Sequence, residues 1–321
     1  MENHRNISQS IWQKIKQATE ILIVSHRNPD GDTIGANLAL TIHLKKIGKS
    51  TTSFCFDPLP QSLKFLPQNH LLTDEHLVFT KNYDLIIILD CSNLELSAIE
   101  KLIATFKTPP TLINIDHHIS NPRYGDINLV LPDTSSTCEL LYRLLSDWQI
   151  SWDKDIATNL ACGILTDTGG LKNPSTNYLA ISAVAKLISY GANINKIIQK
   201  TISQTTVNKL KLWGRALERL KKIDKYNLVY TWLTQQDFID CQVDETVSEG
   251  LSNFLHILNE GKITMVLKET NNQMIKGSLR TSSDIDLTKF ASQLGGGGHK
   301  KASGFSLPGR LEYANNKLRI V

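Results

Sequence analysis

The chain has 321 residues, 41% hydrophobic and 21% charged, a balance that excludes disordered and fibrous classes and suggests about two globular domains. Its net charge of +4 is too slight for the concentrated basic stripe that long nucleic acid requires, yet it leaves room for a small polyanion in a local pocket. Five widely spaced cysteines without a CxxC pair fit a reducing cytosol better than a disulfide framework or a zinc knuckle.

Residues 1–20 are patterned as a short surface helix without the apolar core of a signal peptide. ILIVS then predicts a strand, followed by the turn HRNPDGD and a helix over GANLALTIHLKKIGK. TTSFCF is a plausible strand, and LIIILD is too continuously apolar to have a solvated face, as expected of a buried parallel strand. TLINID repeats that pattern and runs into His117 and His118. DTSSTCELLYRLLSDWQI and DKDIATNLACGILTD open with capping residues and continue as helices, and another helix spans 177–191. Residues 194–223 are polar, lysine-rich and helical in pattern, and they are expected to connect two lobes. Beyond them NLVYTWLT, KITMVLKE and QMIKGSLR predict strands, with a helix near 286–293 and then LGGGGHKKASGF. No apolar run reaches the roughly 20 residues of a membrane span, so a cytoplasmic protein without membrane partners is expected.

Four apolar stretches (21–32, 85–90, 112–118 and 161–167) each end in an acid or a histidine. If the first three are parallel strands, their C-terminal ends share the edge where open α/β sheets place their chemistry. His26, Asp30, Asp32, Asp90, His117 and Asp167 would then converge, a set rich enough for two divalent ions. Singly, each has a plainer reading: an Asp-Gly turn for residues 30–32, and a helix or turn cap for Asp90 or Asp167. Two adjacent histidines at a core edge are costly unless something satisfies them, and four such clusters at four apolar ends are improbable as unrelated caps. The GGGGH run at 295–299 permits a backbone nest for an anion, with a flexible loop or a helix cap as alternatives. GKS at 48–50 follows a helix instead of opening one and so is not a P-loop, and no GxGxxG follows the first strand.

HRNPDGD, the Asp of LIIILD, the DHH triplet, GILTDTGG and GGGGH stand in the order seen in the DHH phosphoesterases, and over 21–305 the chain resembles that family. It looks like that family's branch of short-oligoribonucleotide nucleases that also dephosphorylate 3′-phosphoadenosine 5′-phosphate (pAp). The resemblance implies an α/β fold: a catalytic DHH domain over 1–193 with a mostly parallel sheet flanked by helices, a helical linker over 194–223, and a smaller DHH-associated domain over 224–321 with a mixed sheet for substrate. It also implies two Mn²⁺ per chain, one held by His26, Asp30 and Asp90, the other by Asp32, Asp90, His117 and Asp167. Asp90 and His118 would be catalytic, with His118 facing the phosphate and Asp116 supporting it from behind. Arg280, Gly296, Gly297, Gly298 and His299 would grip the base and terminal phosphate. One departure is LKNPST after TDTGG, where many relatives carry an aromatic residue.

Expected partners are short RNA oligonucleotides or pAp, not duplex DNA, and a homodimer is compatible with the reading. Two alternatives stand beside it: hydrolysis of cyclic di-AMP or of its linear product pApA, and a non-catalytic nucleotide sensor that kept the fold. Mixed carboxylate and imidazole donors suit Mn²⁺ better than Mg²⁺, and paired cations about 4 Å apart would activate water without a nucleophilic side chain.

Overall fold

Alternation of short apolar runs with helices builds the first half of the chain. The computed structural model describes residues 2–321 apart from 105, 107, 203–205, 256, 257, 259 and 316. Two units emerge, residues 1–204 and 205–321. The first contains α1 (Glu2–Gln17), β1 (Glu20–Ser25), α2 (Gly31–Lys46), β2 (Ser50–Cys55), β3 (Leu72–Thr73), β4 (Leu85–Leu89), α3 (Leu94–Ser97) and α4 (Glu100–Ile103). It continues with β5 (Thr111–Asp116), β6 (Ile127–Val130), α5 (Thr137–Asp147), α6 (Lys154–Asp167), α7 (Tyr178–Ser189) and α8 (Ile194–Ile197).

The six strands form one sheet in the order β3-β2-β1-β4-β5-β6, and every pair is parallel. Strand order reverses between β1 and β4, which makes a crevice at their C-terminal ends, the place where open α/β sheets bind ligands. Every residue of β4 is buried, as its unbroken apolar sequence requires. Side chains alternate between faces: Ile21, Ile23, Ile87 and Leu89 join the core under the larger helices, while Leu22, Val24, Ile86 and Ile88 pack with Phe54, Tyr83 and Ile99.

Helices α2 and α6 approach almost backbone to backbone. A Cβ on Gly35 would lie 2.4 Å from the Asn159 carbonyl oxygen, and one on Gly163 would lie 2.2 Å from Cys138 Sγ and 2.6 Å from Asp32 Oδ1. Glycine at these two positions sets the helix spacing, and thereby how close the end of α6 comes to the start of α2.

The second unit contains α9 (Val207–Glu218), β7 (Lys221–Ile223), β8 (Leu228–Leu233), α10 (Gln235–Cys241), α11 (Leu251–Leu255), β9 (Ile263–Glu269) and β10 (Met274–Arg280). It ends with α12 (Thr288–Gln293), β11 (Gly297–His299), β12 (Ala302–Pro308) and a hairpin of β13 (Leu311–Ala314) with β14 (Lys317–Ile320). Its mixed sheet runs β11-β12-β10-β9-β8-β7, with only β8 and β9 parallel among the described strands. One face packs on α9, α10 and α11, the other on α12.

Segment 194–223 divides between the two cores: Ile197 is buried in the first, Leu212 and Ala216 in the second. Lys221 and Lys222, read from sequence as a helix face, instead lie on edge strand β7 because they pair with Tyr230 and Val229. The glycine run is divided: Gly295, at φ +70, and Gly296 close the end of α12 by donating N–H to the Ser292 and Ala291 carbonyls, the helix-cap alternative, and Gly297–His299 pair with Ala302–Gly304 as a hairpin. All five cysteines are free and buried, and no described helix is long and apolar enough to cross a membrane.

Candidate metal centre

The turn after β1 is built to aim an imidazole. Asn28 adopts φ +51 and donates its N–H to Asp57 Oδ2 at 2.7 Å, which ties the HRNPD loop to the segment after β2. His26 Nδ1 lies 2.6 Å from the Arg27 carbonyl oxygen. A donor role there leaves Nε2 facing Asp30 Oδ1 at 3.8 Å and Asp90 Oδ2 at 3.4 Å. Asp30 is the N-cap of α2, accepting the Asp32 and Thr33 N–H groups at 2.9 and 3.1 Å through Oδ1. Asp32, in the first turn of α2, is fully buried.

Asp90 follows β4 and stays in its ladder, donating N–H to the Ile115 carbonyl at 3.0 Å. Its φ of +58 is uncommon for a residue with a side chain. That bend turns the buried carboxylate toward the histidines: Oδ1 lies 3.7 Å from His117 Nε2 and 3.9 Å from His118 Nδ1. Asp116 ends β5 fully buried, accepting from His118 Nδ1 and the His117 N–H through Oδ1, both at 2.8 Å. His117 Nε2 is 3.3 Å from Asp167 Oδ2, on the last residue of α6.

All six predicted ligand residues therefore meet in one place, with His118 and Asp116 beside them. Three overlapping groups have ligand atoms within 4.8 Å of one another: His26, Asp30 and Asp90; Asp32, His117 and Asp167; and Asp90, His117 and His118. Either oxygen of Asp90 faces a different histidine.

Charge in this cluster is unbalanced. Burial, then the charges of Asp90, Asp167 and Asp30, hold the Asp32 carboxyl well above its ordinary range. Burial, then the charges of Asp90 and Asp30, push Asp167 up to about 7. Asp90 goes the other way: burial would raise it, but the hydrogen bond and charge of His26, with His117 and His118, hold it low. His26, which burial alone would lower, is raised to about 9 by Asp90. The hydrogen bond to Asp116, opposed by burial, raises His118. A bound cation would supply the missing positive charge.

Several supporting residues left no signal that sequence reasoning used. Asn121 donates Nδ2 to Asp116 Oδ2 at 2.6 Å and to Asn114 Oδ1 at 2.8 Å, and Asn114 Nδ2 donates to the Tyr124 hydroxyl at 2.8 Å. The first turn of α5 was readable only as a helix start, although its N–H groups reach Asp32.

In the second unit, Arg280 pairs with Ala302 across β10 and β12, and Ala302 pairs with His299 across β12 and β11. Cross-strand partners share a face, so Arg280 and His299 stand in one row about 10 Å apart. Arg280 is steadied by Nε donating to Asn253 Oδ1 and Nη1 to its neighbour's carbonyl, both at 2.9 Å. Two of the four glycines are required by close approach: a Cβ on Gly296 would lie 2.1 Å from the Gly304 carbonyl oxygen, and one on Gly298 would lie 2.6 Å from that of Ala302.

Comparison with known proteins matches residues 20–164 to the DHH family, N-terminal domain, and 214–319 to the DHHA1 domain. A Thermus thermophilus protein named bifunctional oligoribonuclease and PAP phosphatase NrnA is 29% identical, covering 93% of this chain and 90% of that protein. A Bacillus subtilis protein of the same name is 25% identical, covering 89% of each. Among solved structures, an exopolyphosphatase-related protein from Bacteroides fragilis superposes with a TM-score of 0.78 at 29% identity, covering 95% of this chain and 91% of that one.

Proposed function

The chain belongs to the DHH family, and on that premise we propose that it is a phosphoesterase that uses two divalent cations, Mn²⁺ by preference. Its substrates are very short oligoribonucleotides, cut to mononucleotides, and pAp, which it dephosphorylates. The observation that carries this reading is the convergence of five acid and imidazole donors, His26, Asp30, Asp32, His117 and Asp167, around a sixth, the buried carboxylate of Asp90. Relatives named for both activities along nearly their whole length support the substrate class.

The residues present fit the cations. Nitrogen and oxygen donors in mixed sets suit a borderline ion, and the raised Asp32 and Asp167 carboxyls mark negative charge that the protein's own groups leave uncompensated. His26, Asp30 and Asp90 would hold one ion; Asp32, Asp90, His117 and Asp167 the other. When bound, the pair supplies Lewis acidity for the phosphoryl oxygens and a lowered pKa for the attacking water. His118 binds the scissile phosphate: Asp116 accepts from Nδ1, which fixes the ring and favours its protonated form, so Nε2–H can donate to a phosphoryl oxygen. Arg280 and the Gly296–His299 segment recognise the base or terminal phosphate, with the guanidinium suited to two parallel hydrogen bonds.

The test is product release from pAp, a diribonucleotide and cyclic di-AMP, each with Mn²⁺ and with chelator. Turnover of the first two is expected, and Asp90→Asn should lower kcat/KM on the order of 10³-fold. Absence of turnover on all three substrates would remove the enzymatic reading, and cyclic di-AMP as the preferred substrate would replace the substrate assignment.

A further inference from the structure

A buried hydroxyl touches the cluster without belonging to any donor set. Thr137, the first residue of α5, is fully buried, and its Oγ1 donates to Asp90 Oδ1 at 2.9 Å. Its backbone N–H donates to Asp32 Oδ2 at 2.6 Å, and the next N–H, of Cys138, donates to Asp32 Oδ1 at 2.8 Å. Ser136 caps the same turn by accepting the Glu139 N–H at 2.9 Å. The N–H groups that a helix start leaves without intrahelical partners are thus directed at a carboxylate 105 residues earlier in the chain. Dipole and hydrogen bonds both favour its negative charge there.

The two oxygens of Asp90 are not equivalent. Oδ2 faces His26 and Oδ1 faces His117, so the carboxylate serves both donor sets only in one rotation about its terminal torsion. That torsion is intrinsically broad, and nothing within the aspartate fixes it. A threonine is suited to the task, because branching at Cβ restricts the torsion that aims its hydroxyl.

We propose that Thr137 is a positioning residue that sets the affinity of the second cation site, the one formed by Asp32, Asp90, His117 and Asp167. Its hydroxyl locks the rotation of Asp90 and its N–H locks Asp32, so two ligands of that site are held by one residue. The site of His26, Asp30 and Asp90 receives no contact from Thr137 beyond the shared carboxylate. This inference rests on the two-cation reading given above.

The experiment is a Mn²⁺ titration of the full chain, followed by calorimetry and by electron paramagnetic resonance, which separates an isolated Mn²⁺ from a spin-coupled pair. The parent should bind two equivalents and develop the coupled signal. Thr137→Val should bind the first equivalent as the parent does and the second about 10- to 100-fold more weakly, the usual cost of losing a partner that orients a ligand. Thr137→Ser, which keeps the hydroxyl, should restore most of the second affinity. If the valine variant does not fold, Thr137→Ala compared with Thr137→Ser isolates the hydroxyl in the same way. Parent-like binding of both equivalents by the hydroxyl-free variant overturns the proposal, as does equal weakening of both sites in the Val and Ser variants. A parent that binds a single equivalent would sink the two-cation reading itself, a result separable from either of these.

Discussion

Asp237 in the second unit and Asp32 in the first are buried carboxylates handled in opposite ways. In the second, Asp237 is 1% exposed and fully enclosed by partners. Arg219 grips both of its oxygens, Arg215 Nη1 donates at 3.0 Å, and Thr234 adds its N–H and hydroxyl at 2.8 and 2.9 Å. Burial alone would raise that carboxyl, yet Arg219, Thr234 and Arg215 hold it down at about 2. In the first unit Asp32 is just as buried, but its nearest charges are other carboxylates, and it is pushed up. A carboxylate that braces a fold is neutralised by its own chain. At the centre, Asp90 is held low by the histidines while Asp32 and Asp167 are pushed up, so the deficit there falls on two particular carboxylates and burial alone does not mark it.

Breaking the satisfied cluster should have the largest effect on stability. Asp237→Asn leaves two arginines facing a neutral amide and should cost about 3 kcal/mol. Peptide-resolved hydrogen exchange of the full chain would register the loss in α9 and α10. Because the folded pKa lies below the unfolded one, the contribution is present above roughly pH 4 and fades as pH falls through about 2. The gap between parent and variant should close over that window. A constant gap would mean that Asp237 acts through shape instead of charge.

A second contrast concerns glycines inside helices. Gly163 in α6 has Asp32 and Cys138 where its Cβ would be, whereas Gly214 in α9 has nothing within 4 Å. Alanine normally gains about 1 kcal/mol over glycine in a helix interior, so Gly214→Ala should stabilise by roughly that amount. Gly163→Ala should instead destabilise by about 2 kcal/mol through overpacking and should weaken Mn²⁺ binding by displacing Asp32. Denaturant melts with and without Mn²⁺ distinguish the two. Equal gains at both positions would show that the α2–α6 contact does not set the geometry of the centre.

The same physics explains what was readable in the sequence. A run such as LIIILD can only be a strand covered on both faces, and an acid at its end then has one place to go, the sheet edge. His26, Asp90 and the pair His117–His118 were found on that logic, and α/β architecture followed from the alternation. Long-range hydrogen bonds leave no periodic trace, so the grip of α5 on Asp32 and the Asn121–Asn114–Tyr124 support behind Asp116 could not be seen. GGGGH was open to a nest, a loop or a helix cap because glycine permits many backbones; that Gly295 and Gly296 end α12 while Gly297–His299 pair with Ala302–Gly304 depends on contacts that a local pattern does not encode. Lys221–Ile223 is too short to show a period of two, so its strand went unrecognised.

The subtlest expected effect comes from relieving the deficit. Asp167 is raised to about 7, chiefly by burial and then by Asp90 and Asp30. With its folded pKa above the unfolded one, its contribution in the metal-free protein is fully present below about pH 4 and is lost as pH rises through about 7. Asp167→Asn removes that loss. The metal-free variant should therefore be more stable than the parent at pH 8, by about 1 kcal/mol after allowance for solvent screening, and no more stable below pH 4. Mn²⁺ should reverse the order, stabilising the parent and leaving the variant nearly unmoved. Thermal melts in chelator and in Mn²⁺ at the two pH values read all four states. If the variant were less stable than the parent in chelator at pH 8, Asp167 would belong with Asp237 as a brace, and the deficit that marks the centre would have to be sought in Asp32 alone.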